Sequence, residues 1–139
     1  MKKLNWQTHL FGFLEAQKDQ SKFSYGICDC FTFASEAIRL QTGISIAGPY
    51  LDKYKTEKQA LKLMKKLGLD EFTDLVAEHF SEIKPTLAQR GDIVAFDHPG
   101  PFKVALAVCV GQYAVGLHPE KGLYPVEMKD WIHAWRIVA

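Results

Sequence analysis

The sequence predicts an α+β fold in which N-terminal helices pack on a mostly antiparallel sheet. Three observations carry that expectation. Before Pro85 the apolar residues recur at helical spacing; after it they alternate or run in short blocks bounded by Gly and Pro. The chain has 139 residues, 47% of them hydrophobic and 24% charged, which suits one core at about 150 residues per domain. The expected organisation is therefore a single domain over 1–139, helical over about 1–84 and sheet-forming over about 85–139.

Each element has a local reason. Leu4, Leu10, Phe11, Phe13 and Leu14 form one apolar helical face ending near Gln17, and the polar stretch Lys18 to Lys22 reads as a loop. Cys30, Phe33, Ala34, Ala37 and Ile38 form a second buried stripe, which Gly43 stops. Gly48-Pro49-Tyr50 is a turn. Thr56 can cap a helix carrying Leu61, Met64 and Leu67 up to Gly68, and Asp70 can cap another through Leu75, Val76 and Phe80. Gly91 to Phe96 reads as a strand, and His98-Pro99-Gly100-Pro101 forces a turn into a return strand, Val104 to Val110. Gly111 marks the next turn; Tyr113 to Leu117, Leu123 to Val126 and Ala134 to Val138 complete the sheet.

Charge and cysteine usage exclude several classes. Lys plus Arg number 17 and Asp plus Glu 16, a net charge of +1 without the cationic surplus that phosphate contacts use, so nucleic acid is not an expected partner. Cys28, Cys30 and Cys109 are an odd set and no disulfide framework, which fits synthesis in a reducing compartment. Asn5, Gln7, His9 and Glu15 interrupt the stretch after Lys2-Lys3, so no signal peptide is expected, and no run approaches the roughly 20 apolar residues of a membrane span. No Gly-rich phosphate loop occurs. The Cys28-x-Cys30 pair with Cys109 falls short of two spaced ligand pairs, and His9, His79 and His133 have no metal-ligand spacing to Cys30; neither zinc nor another cofactor is expected.

The segment with chemical content is Phe23-Ser24-Tyr25-Gly26-Ile27-Cys28-Asp29-Cys30, which places a thiol in the first helical turn after a Gly-containing loop. Unpaired N–H groups and the macrodipole at a helix start favour a thiolate, pulling a free cysteine pKa of roughly 8.5 towards neutrality. The same N–H groups can hold an oxyanion. The alternative is a small core residue at the head of an amphipathic helix, and the arrangement alone leaves both open.

Tyr25-Gly26, Asp29-Cys30 at a helix start, Arg90-Gly91-Asp92-Ile93-Val94, Val108-Cys109-Val110-Gly111 and the closing Ala134-Trp135-Arg136-Ile137 resemble the NlpC-type papain-like cysteine peptidases. More specifically, the chain is similar from about Trp6 to Arg136 to a branch encoded by phages and prophages, often among tail genes. The resemblance implies a papain-like fold and cleavage of peptide bonds in cell-wall stem peptides. It places the nucleophile at Cys30, the preceding acid at Asp29, substrate contacts at Tyr25 and Gly26, and a third polar residue near His118. It also implies synthesis in a bacterial host followed by incorporation into the virion tail.

Two family positions depart from the pattern. Phe23 stands where a tyrosine supports the oxyanion, and Ala105 where the catalytic histidine opens its strand. His98, in the hairpin turn, is the alternative base, although a solvated turn residue is the plainer reading. Two functions follow. One is a catalytically degenerate structural component of a tail tip or baseplate, bound to other tail proteins; the other is an active thiol peptidase or amidase using Cys30 with His98 or His118. The missing base favours the first.

Overall fold

The computed structural model describes residues 2–20, 29–69, 72–98, 104–118, 120 and 122–138. Among the described residues, four α-helices, α1 (Trp6–Gln20), α2 (Cys30–Thr42), α3 (Glu57–Lys66) and α4 (Phe72–Ala77), precede a six-stranded sheet. Its strands are β1 (Glu82–Ile83), β2 (Ile93–Asp97), β3 (Val104–Cys109), β4 (Tyr113–His118), β5 (Gly122–Glu127) and β6 (Trp131–Trp135). All pair antiparallel, in the order β1-β6-β2-β3-β4-β5. The expected α+β architecture is present.

Helix α2 is the centre of the helical layer. Its apolar stripe, Phe33, Ala34, Ala37 and Ile38, is buried. Gly43 ends it in the left-handed region at φ 84°, donating its N–H to Arg39 O, a conformation that costs a glycine little. Helix α1 packs Leu10 and Leu14 into the same core, and Thr56 caps α3 by accepting the Gln59 N–H. Phe31 stacks on Phe72 at 4.3 Å between ring centroids, joining α2 to α4.

Strand alternation gives the sheet two apolar faces. Ile93, Ala95, Leu106, Val108, Leu117 and Trp135 face the helical core. Val94, Phe96, Ala105, Ala107, Cys109, Ala114, Val126, Trp131 and Ala134 form a second cluster, and Cys30 is the residue of the four helices that packs against it. Strand β5 is one edge of the sheet and carries Pro125, tolerable there because an edge position need not donate on its open side.

Asp92 ties the sheet together. Its side chain is buried and accepts from Gln89 N–H at 2.8 Å, Ile137 N–H at 3.0 Å and Arg136 Nε at 3.1 Å. Its own carbonyl accepts from Cys109 N–H at 2.8 Å. The neighbouring Gly91, at φ 94°, has no room for a Cβ beside the buried Gln41 amide, which donates to Gly91 O at 2.8 Å.

Several boundaries differ from expectation, among them the end of α4, which stops at Ala77 before Phe80. Helix α1 continues to Gln20 because Lys18 pairs with Glu15 one turn back at 2.8 Å, so a polar stretch extends the helix instead of leaving it. The sheet starts before Pro85, since Glu82 and Ile83 pair with Trp135 and Ala134. The last strand is Trp131–Trp135, not Ala134 to Val138: Arg136 and Ile137 donate their N–H groups to Ser81 O and to Asp92, outside the ladder with β2. Leu4 and Leu67 are exposed and lie outside the helices. Asp70 as a cap, and most of the His98-Pro99-Gly100-Pro101 turn, lie outside the described residues.

Removing the Asp92 carboxylate leaves buried N–H donors without an acceptor. Asp92→Ala is expected to lose on the order of 3 kcal/mol, read as a lower urea midpoint at unchanged m-value; an unchanged midpoint would refute this account of the turn.

Candidate functional site around Cys30

Asp29 sets the start of α2. Its Oδ1 accepts the Thr32 N–H at 2.9 Å while Thr32 Oγ1 accepts the Asp29 N–H at 2.8 Å, a reciprocal capping box that satisfies two terminal donors. Its Oδ2 accepts the Tyr54 hydroxyl at 2.6 Å. Both side chains are buried, Tyr54 wedged against Phe72 at 5.8 Å. The acid that the family resemblance puts beside the nucleophile is thus bound into the scaffold as a cap and anchor.

The cap holds Cys30 at the first helical position, where the thiol reaches the second sheet face. The β3–β4 ladder pairs Cys109, Val108 and Ala107 with Ala114, Val115 and Gly116 and ends there. Just beyond that point, the Leu106 N–H approaches the Cys30 sulfur, together with the N–H groups of Phe31 and Cys30 itself. These donors favour a thiolate, as expected at a helix start.

They are outweighed. Burial pushes the Cys30 thiol up to about 12, and the nearby Asp29 charge pushes in the same direction. The thiol form is thereby favoured at neutral pH. The expectation of a thiol poised near neutrality is corrected: the helix start contributes its donors, but desolvation of the partly buried Cys30 and the neighbouring Asp29 carboxylate outweigh them. Cys109 is buried, and burial raises its thiol as well.

The residues expected to act with Cys30 are distributed unevenly. Ala105 sits on the second sheet face in the cluster against which Cys30 packs, so the family's base position there carries a methyl group. His98 is half-buried and lies one residue beyond β2. His118 ends β4, and its Nδ1 accepts the Glu120 N–H at 3.0 Å. A neutral imidazole accepting at Nδ1 carries its proton on Nε2, which makes that nitrogen a donor and not a base. Phe23, Tyr25 and Gly26 lie outside the described residues.

Sequence reasoning passed over Tyr124. This β5 residue packs on the same cluster as Cys30, and its ring meets His118 edge-on at 5.5 Å and Phe96 edge-on at 6.1 Å. Its hydroxyl is pushed up to about 12, first by burial and then by the charge that Cys30 would carry. The available signal was Gly116 in mid-strand between Val115 and Leu117, since a glycine inside a strand often marks close approach of another group.

Among the described residues, no group of His, Cys, Asp and Glu is arranged to hold a metal ion, and no helix is long and apolar enough to cross a membrane. Comparison with known proteins gives one family match: the model described as "Domain of unknown function (DUF6950)" covers residues 1–137. No curated protein matches the chain.

The Asp29 charge is one of two causes of the raised thiol, so neutralising it lowers the pKa and enlarges the thiolate fraction. Asp29→Asn, which still offers a capping oxygen, is expected to label at Cys30 between about two- and tenfold faster with iodoacetamide at pH 8. Slower or unchanged labelling would contradict the electrostatic assignment.

Proposed function

From the premise that the chain belongs to the DUF6950 family over 1–137, we propose that it is a catalytically degenerate papain-like module of the NlpC type. On this reading it serves as a structural component of a phage or prophage tail tip or baseplate. The observation that carries the degenerate reading is that the family's base position is Ala105, a methyl group in the cluster against which Cys30 packs; burial and the Asp29 charge, which both raise the thiol, agree with it. Thiol peptidases need a thiolate and a positioned acid for the leaving amine. Here Asp29 disfavours the thiolate, and the strand position that would carry the histidine holds Ala105. The tail assignment is supported by the sequence resemblance, carried by Asp29-Cys30, Arg90-Gly91-Asp92-Ile93-Val94 and Ala134-Trp135-Arg136-Ile137. In that setting the partners are other tail proteins.

The second reading, an active peptidase or amidase on peptidoglycan stem peptides, is favoured by one observation. The N–H groups of Cys30, Phe31 and Leu106 converge on the sulfur, and such donors suit an oxyanion formed beside it. It then needs a base from His98 or from a partner protein.

Digestion of purified muropeptides separates the two. Absence of a positioned base commonly costs about 10²- to 10⁴-fold in rate, so the wild type is expected to release no product above the Cys30→Ala background. Robust wild-type cleavage that disappears in Cys30→Ala would overturn the degenerate reading, and an added loss in His98→Ala would name the base.

A further inference from the structure

Tyr124 has a seat built for it. Its ladder partner is Gly116, which in turn pairs with Ala107, so one row across three strands holds a single large side chain beside two positions without bulk. The ring reaches back over that row: a Cβ on Gly116 would stand 3.2 Å from its Cε1 and 3.5 Å from its hydroxyl oxygen. Phe96 and His118 meet the ring at interplanar angles of 78° and 87°, holding it edge-on from two sides. Leu106, whose N–H approaches the Cys30 sulfur, is the chain neighbour of Ala107, and Cys30 and Tyr124 pack on the same cluster.

We propose that Tyr124 is the gate of the Cys30 site: its ring, seated on Gly116 and held by Phe96 and His118, covers the thiol, and access to Cys30 requires the ring to leave that seat.

Room for the movement exists. Tyr124 borders an open groove of about 490 Å³ with Phe96, Asp97, Val126 and Glu127. Cys30 and Tyr124 are both partly buried, and the electrostatics agree with restricted solvent at the sulfur and the phenol. Burial holds both the thiol and the phenol protonated up to about 12, and a charge on Cys30 would repel one on Tyr124. Withdrawing the ring admits water to the sulfur, which lowers its pKa as well as exposing it. Tyr124 is thus a positioning residue acting through the thiol, and gating can be read without any substrate.

The test is the iodoacetamide labelling rate at Cys30, followed by mass spectrometry from pH 7 to 10 in a Cys28→Ser background, with buried Cys109 reporting that the fold is intact. Tyr124→Ala is expected to label about tenfold faster or more, whereas Tyr124→Phe, which keeps the ring, stays within about twofold of wild type. The pH profile of Tyr124→Ala should also turn over at lower pH than that of the wild type. Gly116→Ala, whose methyl displaces the ring without removing it, should fall between. An unaltered rate in Tyr124→Ala with Cys109 still protected overturns the proposal, as does Tyr124→Phe labelling as fast as Tyr124→Ala. If Tyr124→Ala exposes Cys109, Gly116→Ala decides: a rate equal to wild type overturns the gate.

Discussion

The buried Asp29 carboxylate is the constraint on which the site depends. One oxygen closes the first turn of α2 and the other fixes Tyr54, so the helix start, the segment before α3 and the Phe31–Phe72 stack are positioned together. That fixes the direction in which Cys30 leaves the helix, around the end of the β3–β4 ladder towards the second sheet face. The same negative charge then disfavours ionisation of the thiol it has placed. A carboxylate that serves the fold this well works against a nucleophile next to it.

Asp92 plays the corresponding part for the sheet. Arg90-Gly91-Asp92 could be taken for a recognition motif, yet its acid is buried, its glycine is fitted against Gln41, and both serve to join the entry of β2 to the C-terminal segment. The two carboxylates explain how a small chain can hold two apolar clusters on opposite faces of one sheet. Each replaces hydrophobic area with a few charge-assisted hydrogen bonds at a junction where three segments meet.

Much of this was legible in the sequence, and the exceptions have physical causes. Helix α2 was readable because its stripe and its Gly43 stop are local facts. Strand β1 was not, because two residues before Lys84-Pro85 carry no period, and their pairing with β6 is a long-range event. Cys30 stood out by position, but the direction of its pKa did not: the helix-start rule is local, whereas burial and the orientation of Asp29 are tertiary. Tyr124 escaped notice because its meaning depends on register. Only when Gly116 is placed opposite it does an ordinary strand tyrosine fold back onto the cluster against which Cys30 packs.

Pro125 on β5 has a consequence for how the molecule meets copies of itself. An open sheet edge invites another strand to add on, and crowding many copies into one assembly raises that hazard. Opposite Val115, a proline that fits the ladder must turn its nitrogen away from β4, so the exposed edge lacks a donor at that point. At the other edge, β1 is two residues long and offers little template. Both margins of the sheet thereby offer a poorer template for edge-to-edge backbone pairing with another copy.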